Sequence, residues 1–199
     1  MPTGVAIRDA RAQMFDAAER VLLRDGPTAL TSRAVTTEAG VAKGVLHRHF
    51  ADFDTFLADL VEDRIARIGR QSAALRESAG TGTVADNLTG ALTTVFGSVA
   101  LKIVSLLIFR DDLRARLRQT RPAGVPVATE ATAMIAAYLT AERDLGRIAP
   151  DADVDTLAPT LIGAGHLLFA AQEDGPPDPQ AVRKIVTTVL ASVRPEPHR

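Results

Sequence analysis

A chain of 199 residues can bury a real core, and the lack of cysteine excludes disulfide frameworks, thiolate metal sites and cysteine nucleophiles. With 23 Lys+Arg against 24 Asp+Glu the chain is no polycation, so any nucleic-acid binding has to come from a local patch. The opening stretch MPTGVAIRDARAQMF has no continuous apolar run of the kind an export signal needs, and a cytoplasmic protein is expected.

Apolar residues recur at helical spacing throughout and strand-like alternation is almost missing, so an all-α fold of about nine helices is predicted. The first helix carries Ile7, Ala10, Met14, Ala17 and Val21 on one stripe, widened by Phe15, Ala18 and Leu22, and stops at Gly26-Pro27. A short second helix is capped by Thr31, turns Val35 and Ala39 inward and ends at Gly40. A third is predicted from about Ala42 to Ala51, and a fourth, capped by Asp52, to about Arg76 through Phe56, Leu57, Leu60, Val61, Ile65 and Ile68.

ESAGTGT, from Glu77 to Thr83, is the clearest break. Further helices are expected near Val84–Gly97, Ser98–Arg118, Val127–Leu145, Val154–Ala171 and Pro179–Val193, with a frayed RPEPHR end. Ala91 to Phe109 is nearly long enough to span a membrane, but Lys102 at its centre costs roughly 2.5–3.5 kcal/mol on insertion scales. Buried core helices, and no membrane partner, are the expectation.

The stretch GVAKGVLHRHF interleaves basic and apolar residues. The second and third helices are joined by EAGVA, a short glycine-containing turn, which is helix-turn-helix spacing. On the third helix Leu46 and Phe50 are four apart and can face the first helix, leaving Lys43, Gly44, His47 and Arg48 on the opposite face. One face holds the domain together and the other is offered to a partner, for which DNA is the natural choice. Alone, the basic residues would fit a solvated surface equally well.

Here the sequence resembles the TetR family of transcriptional regulators. The resemblance lies in ALTSRAVTTEAGVAKGVLHRHFADFDTFL, where Thr31, Gly40, Val41, Gly44, Leu46, His49 and Phe50 match the family pattern. GRIAPDADVDTLAPTLIGAGHLLF is similar, more weakly, to the family's penultimate helices. The resemblance implies a three-helix helix-turn-helix DNA-binding domain over 1–53 and a helical ligand-binding and dimerisation domain over 54–199, with helix 54–76 as connector. Three positions depart from the pattern: Ala42 where serine often caps the recognition helix, His47 where tyrosine is usual, and Phe53 in place of lysine. The last loses a phosphate contact beside Asp52 and Asp54, so modest DNA affinity is expected. His47, with an unperturbed pKa of about 6.5, is expected to restore part of that affinity when protonated.

The implied roles agree with residue chemistry. Thr31, Ser32 and Arg33 open the second helix, where Ser32 and Arg33 can meet phosphate or a base edge. Lys43 and Arg48 can bind phosphate or guanine, Gly44 permits close approach, Val45 can touch a thymine methyl, and His47 and His49 complete the set, although His49 could equally bond within the domain.

For the remaining chain the resemblance implies a homodimer on a palindromic double-stranded operator, released by a small-molecule effector, with repression as the family's usual outcome. Candidate effector contacts are Phe96, Lys102, Leu106, Phe109, Met134, Tyr138, His166 and Phe169. Each would also serve as ordinary core or as a satisfied interior polar group, and Lys102 can simply extend to solvent. Eight aromatic residues in the chain favour an aliphatic pocket over a large aromatic cage. The rows Leu161, Gly165, Leu168 and Val182, Ile185, Val186, Val189 are candidates for a four-helix dimer interface, and also fit intramolecular core. No catalytic residue, metal site or cofactor is expected, since the chain has no glycine-rich phosphate loop, no GxSxG elbow and no paired-histidine metal spacing. The competing expectation is a dimeric ligand-binding module whose DNA contacts are weakened or lost.

Overall fold

The computed structural model describes residues 10–97, 99–121, 124–172 and 175–193. Ile7 of the first apolar stripe, the Ser98 boundary and the C-terminal 194–199 lie outside the described residues. The described chain is all-α, with ten α-helices: α1 Ala10–Asp25, α2 Ser32–Glu38, α3 Gly44–His49, α4 Phe53–Glu77, α5 Val84–Phe96, α6 Ala100–Phe109, α7 Asp111–Arg118, α8 Pro126–Asp144, α9 Val154–Ala170 and α10 Pro179–Leu190. Single 3-10 turns sit at Pro27–Ala29 and Ala191–Val193.

The caps follow the chemistry of the sequence. Thr31 accepts a bond from the Ala34 N–H, Asp52 from the Thr55 N–H and Asp153 from the Thr156 N–H, each satisfying a donor that a helix start leaves open. The expected helix from Ser98 to Arg118 is instead two. Arg110 is extended, with φ −123° and ψ 91°, and a new helix starts on Asp111 and Asp112, whose charges favour an N-terminal turn. Among the described residues no single helix is long and apolar enough to cross a membrane.

The helices group into two compact units. The first comprises Met1–Asp63 with Lys102–Pro122, and the second Arg64–Leu101 with Ala123–Arg199. In the first, the predicted stripe of α1 is buried at Met14, Ala17, Ala18, Val21 and Leu22, together with Leu30, Val35 and Leu46. Phe15, Phe50 and Phe56 form an aromatic triangle with ring centroids 5.0–5.8 Å apart. This cluster joins the end of α3 to α1 and the first turn of α4. In the second unit α8, α9, α10 and α5 pack together around Leu88, Leu92, Ile135, Leu139, Ala158, Leu161 and Val186.

That second core encloses a polar cluster. Tyr138 and Glu142, both fully buried and one helical turn apart on α8, share a hydrogen bond, and Asn87 of α5 donates to the Tyr138 hydroxyl at 2.9 Å. Glu142 also pairs with Arg147 at 3.2 Å and accepts from the Gly80 N–H. Burial, and after it the bond to Glu142, pushes the Tyr138 phenol well above its ordinary value, so it stays protonated as a donor. The cluster ties the turn between α4 and α5 to the end of α8, and each polar group in it finds a partner.

Candidate nucleic-acid interface

The turn between α2 and α3 depends on Gly40. Its φ of +67° lies in the left-handed region, and it allows the Gly40 N–H to reach the Thr37 carbonyl at 3.1 Å and the Val41 N–H to reach Thr36 at 3.0 Å. These paired bonds end α2 and redirect the chain into α3. Gln13 of α1 supplies a further donor, reaching the Ala39 carbonyl at 3.0 Å. Glu38 accepts from Arg20 and Arg24, fixing the same helix end against α1.

α3 is shorter than the expected span from Ala42 to Ala51. No side chain caps its start, and the Val45 N–H bonds back to the Ala42 carbonyl in a tight three-residue step. At the other end Phe50 turns extended and enters the aromatic triangle. Leu46 is fully buried and Phe50 nearly so, while Lys43, Gly44, His47, Arg48 and His49 are exposed and Val45 is half-buried. Thr31 and Arg33 are exposed at the start of α2, with Ser32 half-buried. Arg33, Lys43 and Arg48 have no acidic partner among the described residues. By contrast Arg11, Arg20 and Arg24 of α1 are all engaged, with Asp59, Glu38 and Asp25. The uncommitted cations therefore include three at the two helix starts and the outer face of the motif.

Several supporting groups were not evident from the sequence. Arg11 lies over the Phe50 ring at 4.5 Å, donates to the His49 carbonyl and pairs with Asp59 at 2.6 Å. It joins α1, the last residue of α3 and α4 through one guanidinium. Phe53 stacks on Phe56 with centroids 5.5 Å apart, and Arg110 lies 5.7 Å from its ring. Arg110 also approaches Asp54 at 3.6 Å, Arg116 reaches Thr55 and Asp52, and Arg121 pairs with Glu62 at 2.9 Å. The acidic pair Asp111-Asp112, inside an otherwise basic stretch, was the one signal that a separate helix begins there.

The effector candidates fall in both units. In the second, Phe96, Phe169 and half-buried His166 come together, with Phe96 5.5 Å from Phe169 and edge-on to His166 at 6.4 Å. Met134 is buried in the same unit, and Tyr138 belongs to the polar cluster. In the first, Leu106 is buried whereas Lys102 and Phe109 are exposed, Phe109 by 73%. Of the dimer candidates, Leu161, Gly165, Val182 and Val186 are buried inside their own unit, and Leu168, Ile185 and Val189 are half-buried.

A capped helix, a left-handed glycine turn and a second helix showing an exposed basic face define a helix-turn-helix protein with a further helical body. Residues 15–59 match the family model described as bacterial regulatory proteins, tetR family. The match covers the N-terminal helices alone, and over most of its length the chain is similar in fold to solved transcriptional regulators. The reduced form of NemR from Escherichia coli is similar with a TM-score of 0.69 at 16% identity, over 94% of this chain and 99% of that one. The transcriptional regulator FadR from Bacillus subtilis, solved with stearoyl-CoA, gives 0.65 at 18% identity over 92% and 99%. The ketosteroid transcriptional regulator KstR2 of Mycobacterium tuberculosis gives 0.62 at 18% over 95% and 97%. No curated protein matches the sequence.

Proposed function

We propose that the chain is a ligand-responsive transcriptional regulator, a repressor in the cytoplasm, that binds a palindromic operator as a homodimer and leaves it when a small apolar molecule binds the second unit. The carrying observation is the outward face of α3 and its N-cap, where Lys43, His47 and Arg48 are exposed while Leu46 is fully buried. α3 enters the major groove. Arg48 and Lys43 supply the charged contacts, Gly44 the close approach and Val45 the apolar one, and Thr31, Ser32, Arg33 and His49 border the site. α4 runs from the first unit into the second and is the connector through which effector binding alters recognition-helix spacing. A coupling of about 1–3 kcal/mol gives a 5–150-fold change in operator affinity. FadR, solved with stearoyl-CoA, and KstR2, a ketosteroid regulator, support an apolar effector by analogy of fold.

Selection of randomised duplex DNA on the purified protein tests this reading. A palindromic site is expected, with binding that weakens steeply as salt rises because phosphate contacts release counterions. Arg48→Ala should cost about 1–3 kcal/mol on that site. A folded dimer that enriches no sequence would instead be the ligand-binding module without operator contacts.

A further inference from the structure

Asp52 and Asp54 stand three and five residues beyond His49, the last residue of α3. Two carboxylates at that place would repel the phosphates that α3 has to approach, and a Debye length of about 10 Å at 0.1 M salt does not remove the effect at this range. The structure answers both charges from another part of the chain. Arg110, at the break between α6 and α7, lies 3.6 Å from Asp54, over the Phe53 ring at 5.7 Å, and donates to the Leu30 carbonyl just before the Thr31 cap of α2. Arg116, two turns along on α7, donates to the Thr55 hydroxyl at 2.8 Å and lies 3.8 Å from Asp52.

We propose that Arg110 and Arg116 are positioning residues for DNA recognition, which hold the start of α4 and the entry to α2 in place and cancel the charge of Asp54 and Asp52 beside the recognition helix. The inference rests on the DNA-binding reading above. Arg110 connects both ends of the motif, because Leu30 leads into α2 and Asp54 lies in the first turn of α4. Arg116 grips the same turn from the side, through the pair of residues that form its cap: Asp52 accepts from the Thr55 N–H at 2.6 Å and from its hydroxyl at 2.7 Å. Bonds to Thr55, with a smaller contribution from Arg116, hold the Asp52 carboxyl below its ordinary value, so it is ionised at neutral pH and needs the countercharge. Arg121 on Glu62 continues the row two turns further along α4. Asp112, which lines a groove with Asp54, Arg116 and Gln119, keeps a carboxylate on the α7 side, so removing Arg116 would leave that groove acidic.

The test is a charge cycle in the full chain, read as affinity for the selected operator at several salt concentrations. Arg110→Ala with Arg116→Ala is expected to weaken binding about 3–10-fold near 0.1 M salt. Adding Asp52→Asn and Asp54→Asn should return affinity to within about twofold of wild type, since asparagine also caps a helix. Arg118→Ala, on the same helix without an acidic partner among the described residues, should change little. The proposal is overturned if the double alanine variant binds as wild type, if the asparagines restore nothing, or if Arg118→Ala weakens binding as much. If the double variant loses its cooperative helical melt, the single pair Arg116→Ala and Asp52→Asn runs the same cycle. A wild-type protein that selects no operator defeats the functional reading itself. In that case amide exchange over 44–60 still tests the hold on α4, with faster exchange expected in the arginine variants and unchanged exchange counting against it.

Discussion

Glu38, the last residue of α2, has guanidinium groups from two turns of α1 against it, Arg20 at 2.7 Å and Arg24 at 2.9 Å. The Arg20 bond first, then that of Arg24, holds its carboxyl below the ordinary 4.5. A carboxylate whose pKa is lowered by folding adds stability that is present above its unfolded value and lost as pH falls through the folded one. Glu38→Gln is therefore expected to lower the melting temperature at pH 7. Its gap to wild type should close as pH falls below the ordinary 4.5, where wild type loses the same contribution. Thermal melts followed by circular dichroism across that range check it, and a gap that stays constant with pH would show that packing, not charge, is lost. Gly40 illustrates what sequence shows at this scale: glycine after a short capped helix announces the left-handed residue that the structure has there. Glu38 illustrates what it hides, since its partners lie 14 and 18 residues away and no local spacing rule pairs them.

Between elements, α9 and α5 meet closely at Gly165. A Cβ there would lie 2.6 Å from Cε2 and 3.1 Å from Cδ2 of Phe96, whose ring is confined by Phe169 and His166. Gly165→Ala should thus cost about 1–3 kcal/mol despite alanine's better helix propensity. Urea unfolding should show a lower midpoint with unchanged slope, and Phe96→Leu should recover part of the loss; stabilisation by the alanine would refute the close contact. In the sequence the glycine stands in a candidate dimer row, and its close approach to Phe96 lies within one unit. Helix ends were legible wherever a cap or glycine marked them, as at Thr31, Asp52 and Asp153. At Arg110 only the Asp111-Asp112 pair marks the end, because the apolar run on one side and the arginine-rich run on the other share a helical period across the break. The roles of Arg110 and Arg116 were hidden for a different reason: their carboxylate partners are more than 50 residues away in the chain.

For the whole molecule, the all-α class and the DNA-binding motif were readable because both rest on local periodicity and capping. An association surface has no such local signature, because buried and exposed apolar rows look alike until the helices are packed. Leu161, Gly165, Val182 and Val186 are buried within their own unit, while the next stripe round α9, Thr160, Gly163, Leu167 and Ala170, is exposed. These four recur at three- and four-residue spacing, with half-buried Leu168 beside them and half-buried Ile185 and Val189 on α10. Leu167, 72% exposed, is the largest apolar group on that stripe. If this face joins two copies, a two-fold axis brings it against itself, and the small residues admit Leu167 of one protomer into the other. Leu167→Arg then places like charges close to one another at the centre of the interface, and the dimer should weaken by about 10–100-fold or more. Sedimentation velocity over a range of concentrations should show monomer where wild type is dimeric, with the helical melt retained. Affinity for the palindromic site should fall with it, whereas a single half-site should be bound equally by both proteins. A variant that remains dimeric would move the interface elsewhere, and one that is monomeric yet binds the palindrome undiminished would separate operator reading from dimerisation through α9.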